Sequence, residues 1–344
     1  GAVAVGVEAT TREYGVAIGY KAGEENGTPG NASHSNITIG ANTRVGVKGS
    51  KDSVGQSIAI GSSQGIGAWA KGTQAIAIGS DTIAEGNSSV AIGGDDVDTA
   101  IAKTKSYVKK SYDKNGTETS TAVNNTSLDD IYKDLTGNTA GLGGYKGTTA
   151  GEASVALGVK AEAGDLATAL GTMSQAKGIN SLALGTGAQA TQANAVAIGA
   201  GSSTAGLKAK RITDANVALS DGTNVNFSNF AGTSNVTEGD MVSFGTVGRE
   251  RQLKNIAPGE LSATSTDAAT GSQLYSVAKK LSEDINSKFR YVSIKSNDAG
   301  NKLNDGATAN NAIAIGPNAS TKVESAVSLG DGANVLPGPT KDKA

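Results

Sequence analysis

The sequence predicts an all-β fold of stacked β-coils that ends in a short coiled coil and associates with copies of itself. Three observations carry that expectation. An apolar-small-apolar-Gly tetrapeptide recurs along the chain, aromatic residues make up only 4% of it, and one helical apolar seam stands at Leu274, Val277, Leu281 and Ile285. The first gives short strands at a fixed beat, the second excludes a thick core, and the third gives a coiled-coil seam.

Only 37% of the 344 residues are apolar, while 48 are glycine. An interior built without bulky rings is filled by Ala, Val, Ile and Leu, so the core is thin and repeated many times. The 30 basic and 32 acidic residues are spread along the chain and leave a net charge of -2. That balance offers no groove for a polyanion, and no nucleic-acid partner is expected. The absence of cysteine removes disulfides, thiolate metal sites and cysteine nucleophiles together. No stretch approaches the roughly 18 consecutive apolar residues of a membrane span, so no direct membrane contact is expected of this chain. It opens inside a repeat, with no secretory pattern, and reads as a piece of a longer protein.

The tetrapeptide ends at Gly6, Gly19, Gly40, Gly61, Gly79 and Gly93, resumes at Gly158, Gly171, Gly185 and Gly199, and returns at Gly316 and Gly330. Successive glycines lie 13, 21, 21, 18 and 14 apart, then 13, 14 and 14, then 14, which is a unit of about 14 with insertions. Each apolar-Ala-apolar triplet reads as a strand that glycine ends, and a small stretch such as Ala188-Gln189-Ala190 reads as a second strand. Two strands per unit describe one coil of a β-roll. Ordering 14 residues costs roughly 20 kcal/mol at about 1.5 kcal/mol each, more than two or three branched residues recover. The expectation is that branched residues stack into a continuous core, and that the alanine row on the opposite face lets a sheet of an identical chain approach.

Between Gly93 and Gly158 the beat lapses. Val97, Ile101, Val108 and Tyr112 lie near helical spacing, and Ser127 with Asp130 opens a second predicted helix over 128–135. Insertions in repeat proteins project from one face and often bind, which makes Tyr107, Tyr112 and Tyr132 candidate contact residues; a lid buttressing adjacent coils is the other reading. Trp69, the one tryptophan, is either an exposed contact or half-buried on its coil. From residue 206 to 245 the chain is irregular, with candidate strands at Val225-Asn226-Phe227 and Met241-Val242-Ser243-Phe244.

The repeats, followed by Arg251-Gln252-Leu253-Lys254-Asn255-Ile256-Ala257-Pro258-Gly259 and Thr266-Asp267-Ala268-Ala269-Thr270-Gly271-Ser272-Gln273-Leu274, resemble the head and neck of YadA-like trimeric autotransporter adhesins of Gram-negative bacteria. The resemblance implies a homotrimeric, left-handed parallel β-roll head, a neck adaptor and an α-helical coiled coil. Asn255, Gly259, Asp267, Ala268, Gln273 and Leu274 become structural neck residues, whereas Ala269, Thr270 and Gly271 replace the Val, Asn and Val usual in the family motif. The implied layout is β-roll head repeats at 1–93 and 151–206, a partly helical insertion at 94–150, a β-rich transition and neck at 207–273, a short coiled coil at 274–290, and a second head opening at 291–344. The implied role is multivalent attachment to host extracellular matrix, host cell-surface receptors, surfaces, or fibres of neighbouring bacteria. The implied location is the cell surface, with an outer-membrane anchor in regions outside this chain.

Little else in the sequence carries chemistry. Gly65-x-Gly67-x-x-Ala70 and Gly185-x-Gly187-x-x-Ala190 satisfy a loose dinucleotide pattern but lack a strand-to-helix setting. His34 is the sole histidine, which excludes histidine clusters and most Ser-His catalysis. Asp95, Asp96 and Asp98 read as a hard-cation cluster or as the acidic start of a helix. No catalytic residue, metal ligand or cofactor is expected. The rival reading, a β-helix polysaccharide-binding or polysaccharide-degrading protein, requires clustered acidic or basic catalytic groups in longer coils.

Overall fold

The computed structural model describes residues 1–25, 34–50, 54–144, 146–219, 222, 224–288 and 305–338. Two compact units emerge, Gly1–Arg211 with Ser234–Leu253, and Ile212–Thr233 with Lys254–Ala344. Each is taken by itself.

In the first unit the tetrapeptides do form strands. Among the described residues, the ten tetrapeptide strands and Val242–Ser243 stack in register into one parallel sheet of eleven, and eight strands of two or three residues form a second. Val155 pairs with Thr168, Thr168 with Leu182, and Leu182 with Val196, so each coil repeats the last. The second sheet runs alongside, for instance Glu162 to Gln175 to Gln189. At the coil corner, Gly171 lies at φ +130, and a Cβ added there would sit 2.7 Å from the carbonyl carbon of Gly185 in the next coil. Only glycine permits that close stacking.

The interior reverses one expectation. Ala156, Ala169, Ala183 and Ala197 of the long sheet and Ala150, Ala176 and Ala190 of the second are fully buried, facing each other inside the roll. The branched neighbours point outward instead, with Leu157 still 41% exposed. Residues 158–161 alone connect Val155–Leu157 to Glu162–Ala163, so the two sheets lie close and the interior takes mostly small side chains. The alanine row is therefore where the two sheets of one chain meet, and not a landing face for another chain. Where Thr38 replaces alanine, its buried hydroxyl donates to the Val16 carbonyl at 3.3 Å.

The insertion corrects a second expectation. After a short helix α1, Asp98–Ile101, come two antiparallel strands, Thr104–Tyr112 and Glu118–Ser127, and then helix α2, Leu128–Thr136. Val108 and Tyr112 thus lie on a strand. Turn chemistry overrides the helical spacing: Asp113 Oδ1 accepts from the backbone N–H of both Asn115 and Thr117 at 2.8 Å, and Gly116 supplies φ +82. The α2 start is as read, with the Ser127 side chain accepting from Asp130 N, and Gly137 ends the helix at φ 74.

In the second unit Asp214–Ala218 and Asn224–Ser228 form a separate antiparallel hairpin, helix α3 spans Gly271–Lys288, and two further coils pair Ile313–Ile315 with Val327–Leu329 and Ser320–Thr321 with Asn334–Val335. The last residues of the expected coiled coil at 289–290, and residues 291–304 at the start of the expected second head, lie outside the described residues.

Candidate functional site

The branched residues expelled from the roll interior make the largest unusual surface. Val3 and Val5, Ile18, Ile39, Val155 and Leu157, Leu170, Leu184 and Val242 stand exposed on one face of the long sheet, while the corresponding residues of the coils at 58–60, 76–78, 90–92 and 196–198 are half-buried. A row of this length, exposed among the described residues, has the character of a protein-binding face. Covering the exposed part of each side chain is worth about 1 kcal/mol, multiplied over many coils. Leu274, Val277, Leu281 and Ile285 repeat the situation on α3, where all four are exposed at 3,4,4 spacing.

The neck residues converge as a group. Gln273 Nε2 donates to the Gly259 carbonyl at 2.5 Å, while its Oε1 accepts from the N–H of Gly259 at 3.2 Å and of Thr270 at 2.9 Å. Asp267 Oδ2 accepts from Glu260 N at 3.0 Å. A Cβ on Gly259 would lie 2.6 Å from Asp267 Cβ and 2.8 Å from the Ala268 carbonyl oxygen, so glycine is demanded by space. Asn255 holds φ 59, a left-handed conformation that asparagine tolerates well. Leu274 begins the exposed seam. The replaced positions Ala269, Thr270 and Gly271 leave the clasp intact, since Thr270 takes part in it through backbone and hydroxyl.

The aromatic candidates part company. Trp69 is half-buried: its Nε1 donates to the Gly46 carbonyl at 2.6 Å, and the Arg44 guanidinium and Lys71 ammonium stand 5.1 and 4.5 Å from its ring centre. Tyr132 is buried on the inner side of α2, where its hydroxyl lies over Gly187 and receives the Asn138 amide N–H at 3.0 Å. Buried there, it offers no surface to a receptor, and its role is to seat α2 on the roll. Thr136 does the same over Gly201, where a Cβ would approach its own to 2.5 Å. Tyr107 is half-buried, donating to Asp134 Oδ2 at 3.3 Å, and burial, followed by the Asp134 charge, raises its pKa. Tyr112 remains 63% exposed near the hairpin tip, its hydroxyl donating to Glu118 at 2.9 Å.

Two features escaped the sequence reading. Lys160 is buried beneath the insertion, with its Nζ 3.5 Å from Asp98 Oδ1 and its backbone N–H donating to the Gly94 carbonyl. Arg251 closes the last coil: its guanidinium donates to the Ala200 carbonyl at 2.7 Å, Ser202 Oγ at 2.7 Å and the Phe244 carbonyl at 2.5 Å. Lys160 stands in no motif, and Arg251, although it opens the stretch that carries the resemblance, acquires this role only when the coil is closed. Asp98 N donates to Asp96 Oδ1 at 3.1 Å, and His34 is exposed. Among the described residues no three His, Cys, Asp or Glu side chains are grouped to hold a metal, and no helix is long and apolar enough to cross a membrane.

Two family models match segments of this geometry. The YadA head domain repeat matches residues 70–95, 163–188, 176–202 and 307–333, and the coiled stalk of trimeric autotransporter adhesin matches residues 252–295. Among solved structures, the C-terminal YadA-like domain of a Burkholderia pseudomallei protein is similar at 25% identity, covering 63% of this chain and 82% of that one, with a TM-score of 0.26. No curated protein matches the chain. The head matches fall on the alanine-filled coils and the stalk match on the neck clasp and the exposed seam of α3. The matched segments are thus similar to the head repeat and the coiled stalk of trimeric autotransporter adhesins, which are non-enzymatic adhesin domains.

Proposed function

We propose that this adhesin attaches its bacterium to host extracellular matrix, host cell surfaces, inert surfaces or the fibres of neighbouring cells, and that the insertion hairpin, Thr104–Tyr112 with Glu118–Ser127, makes the contact. The observation that supports this reading is the exposure of the hairpin. Tyr112 and Val108 lie open on one of its faces, whereas Tyr107 and Lys109 on the other face turn to Asp134. The reading of Trp69 as an exposed contact loses support because Arg44 and Lys71 already stand over its ring.

In this reading residues 1–93 and 151–206 form one head, 94–150 its insertion, 207–273 the transition and neck, 274–290 the coiled coil, and 291–344 the opening of another head. Three hairpins on one trimer, and many trimers on one cell, make each later contact effectively intramolecular, so avidity exceeds single-site affinity by about 10² to 10⁴. A weak individual contact is then sufficient.

Removal of residues 104–127 tests the assignment. Leu128 N already donates to the Lys103 carbonyl at 3.0 Å, so the cut ends meet without rearranging the roll. The expected result is a trimer of unchanged melting temperature whose attachment to a panel of matrix proteins falls at least tenfold. Undiminished attachment would eliminate the hairpin as the contact.

A further inference from the structure

The second hairpin, Asp214–Ala218 with Asn224–Ser228, belongs to neither the ladder nor the neck clasp, and its two faces differ sharply. Ala215 pairs with Phe227 and Val217 with Val225, so these four share one face. Asp214, Ser228, Asn216, Asn226, Ala218 and Asn224 occupy the other, where Asn226 Nδ2 donates to Asn216 Oδ1 at 2.9 Å. The apolar face is left open, with Val217 44% and Phe227 51% exposed, and Phe230, whose N–H extends the ladder to the Thr213 carbonyl, is exposed beside it. Two of the four phenylalanines in the whole chain are thus placed in water in a molecule that uses aromatic residues sparingly.

Two antiparallel strands alone are marginal in water, and a third strand or a covered apolar face is needed for independent stability. We infer that the cover is the same face of the hairpins of the other two copies, so that three hairpins close into a clasp around the trimer axis. Three observations select a copy of this chain over a foreign partner. The apolar face carries no charge, since the one charged residue of the two strands, Asp214, lies on the polar face, so identical faces meet without repulsion. In a cyclic trimer every element near the axis meets its own counterparts, which suits a face complementary to itself. Along the chain the excursion ends at Thr233, and Val242, the last rung of the apolar ladder, follows nine residues later, so an interface between copies resumes almost at once.

The absence of cysteine makes the test direct. Val217→Cys changes little in volume and places a thiol on the apolar face; Asn216→Cys places one on the polar face of the same strand. Mild oxidation of the purified trimer is expected to give disulfide-linked dimers on a non-reducing gel for Val217→Cys, reversed by reductant, and monomers for Asn216→Cys. A Val217→Cys chain that sediments as a trimer but stays unlinked, or equal linking by both variants, overturns the clasp while leaving the trimer standing. A chain that sediments as a monomer overturns both. Neither outcome bears on the Thr104–Ser127 contact, which is read by attachment.

Discussion

Gln273 grips Gly259 from both sides, donating to its carbonyl at 2.5 Å and accepting from its N–H at 3.2 Å, across fourteen residues of chain. This amide-to-backbone pair fixes the neck loop at the start of α3, where the apolar seam begins. Gln273→Ala removes both bonds, and Gln273→Glu replaces the donor with a carboxylate facing a carbonyl oxygen. Each is expected to destabilise the neck by about 1 to 3 kcal/mol. Gly259→Ala forces its Cβ into Asp267 and the Ala268 carbonyl and is expected to cost about as much. Thermal melting of the trimer should show all three below the parent. A Gly259→Ala chain as stable as the parent would mean that the loop yields and the clasp is not tight.

Interior and ladder make opposite predictions for adjacent residues. Ala183 is fully buried between the two sheets, whereas Leu184 stands on the outer face. Ala183→Leu overfills a space meant for a methyl group and should destabilise the coil by about 1 to 3 kcal/mol at any concentration. Leu184→Asp leaves the coil interior intact and puts a charge into the ladder, so its effect should be on association. Sedimentation and circular dichroism together separate the two: Ala183→Leu loses strand signal, and Leu184→Asp lowers the trimer fraction while the coil spectrum persists. Reversed outcomes would restore the branched residues to the core.

The architecture was readable because it is periodic. The spacing of Gly158, Gly171, Gly185 and Gly199 placed every strand of that block, since a tetrapeptide that recurs at one beat can be satisfied only by stacking. Which face of the strand turns inward was misread, because period-two alternation assigns residues to two faces but not to inside and outside. That choice depends on the connection at 158–161, whose shortness leaves room only for small side chains, Ala for the most part and Thr38 in an earlier coil. The insertion was misread where Val108 and Tyr112 mimic helical spacing, although Asn115-Gly116 between two β-prone runs is a hairpin signal that was there to be used. The neck clasp could be named from the resemblance, but the two-sided grip of Gln273 on Gly259 could not, because it joins residues whose approach exists only after folding. Tyr132 looked like Tyr107 and Tyr112 in sequence and differs from them in lying on the inner side of α2, whereas they lie on the hairpin strand.

The insertion should loosen in acid before the roll does. Asp134 is held below the ordinary carboxylate range chiefly by its hydrogen bond from Lys109, Asp129 by Lys133, Glu118 by Lys110 with Tyr112, and Asp113 by the backbone N–H groups of Thr117 and Asn115. A lowered folded pKa means that the ionised form favours the native state. The stabilisation is therefore present above the unfolded carboxylate values of about 4 and is lost as pH falls below them through the folded values. In the coils at 155–198 the buried side chains are alanine and serine together with Lys160, and no carboxylate is buried there. Amide exchange, corrected for its intrinsic pH dependence, is expected to show protection at 104–136 falling below about pH 4 while the coils at 155–198 stay protected. Asp134→Asn should remove part of that acid step, because the Lys109 pair is then absent at every pH. Parallel loss in insertion and roll would show that the two open together and that these carboxylates do not govern the insertion.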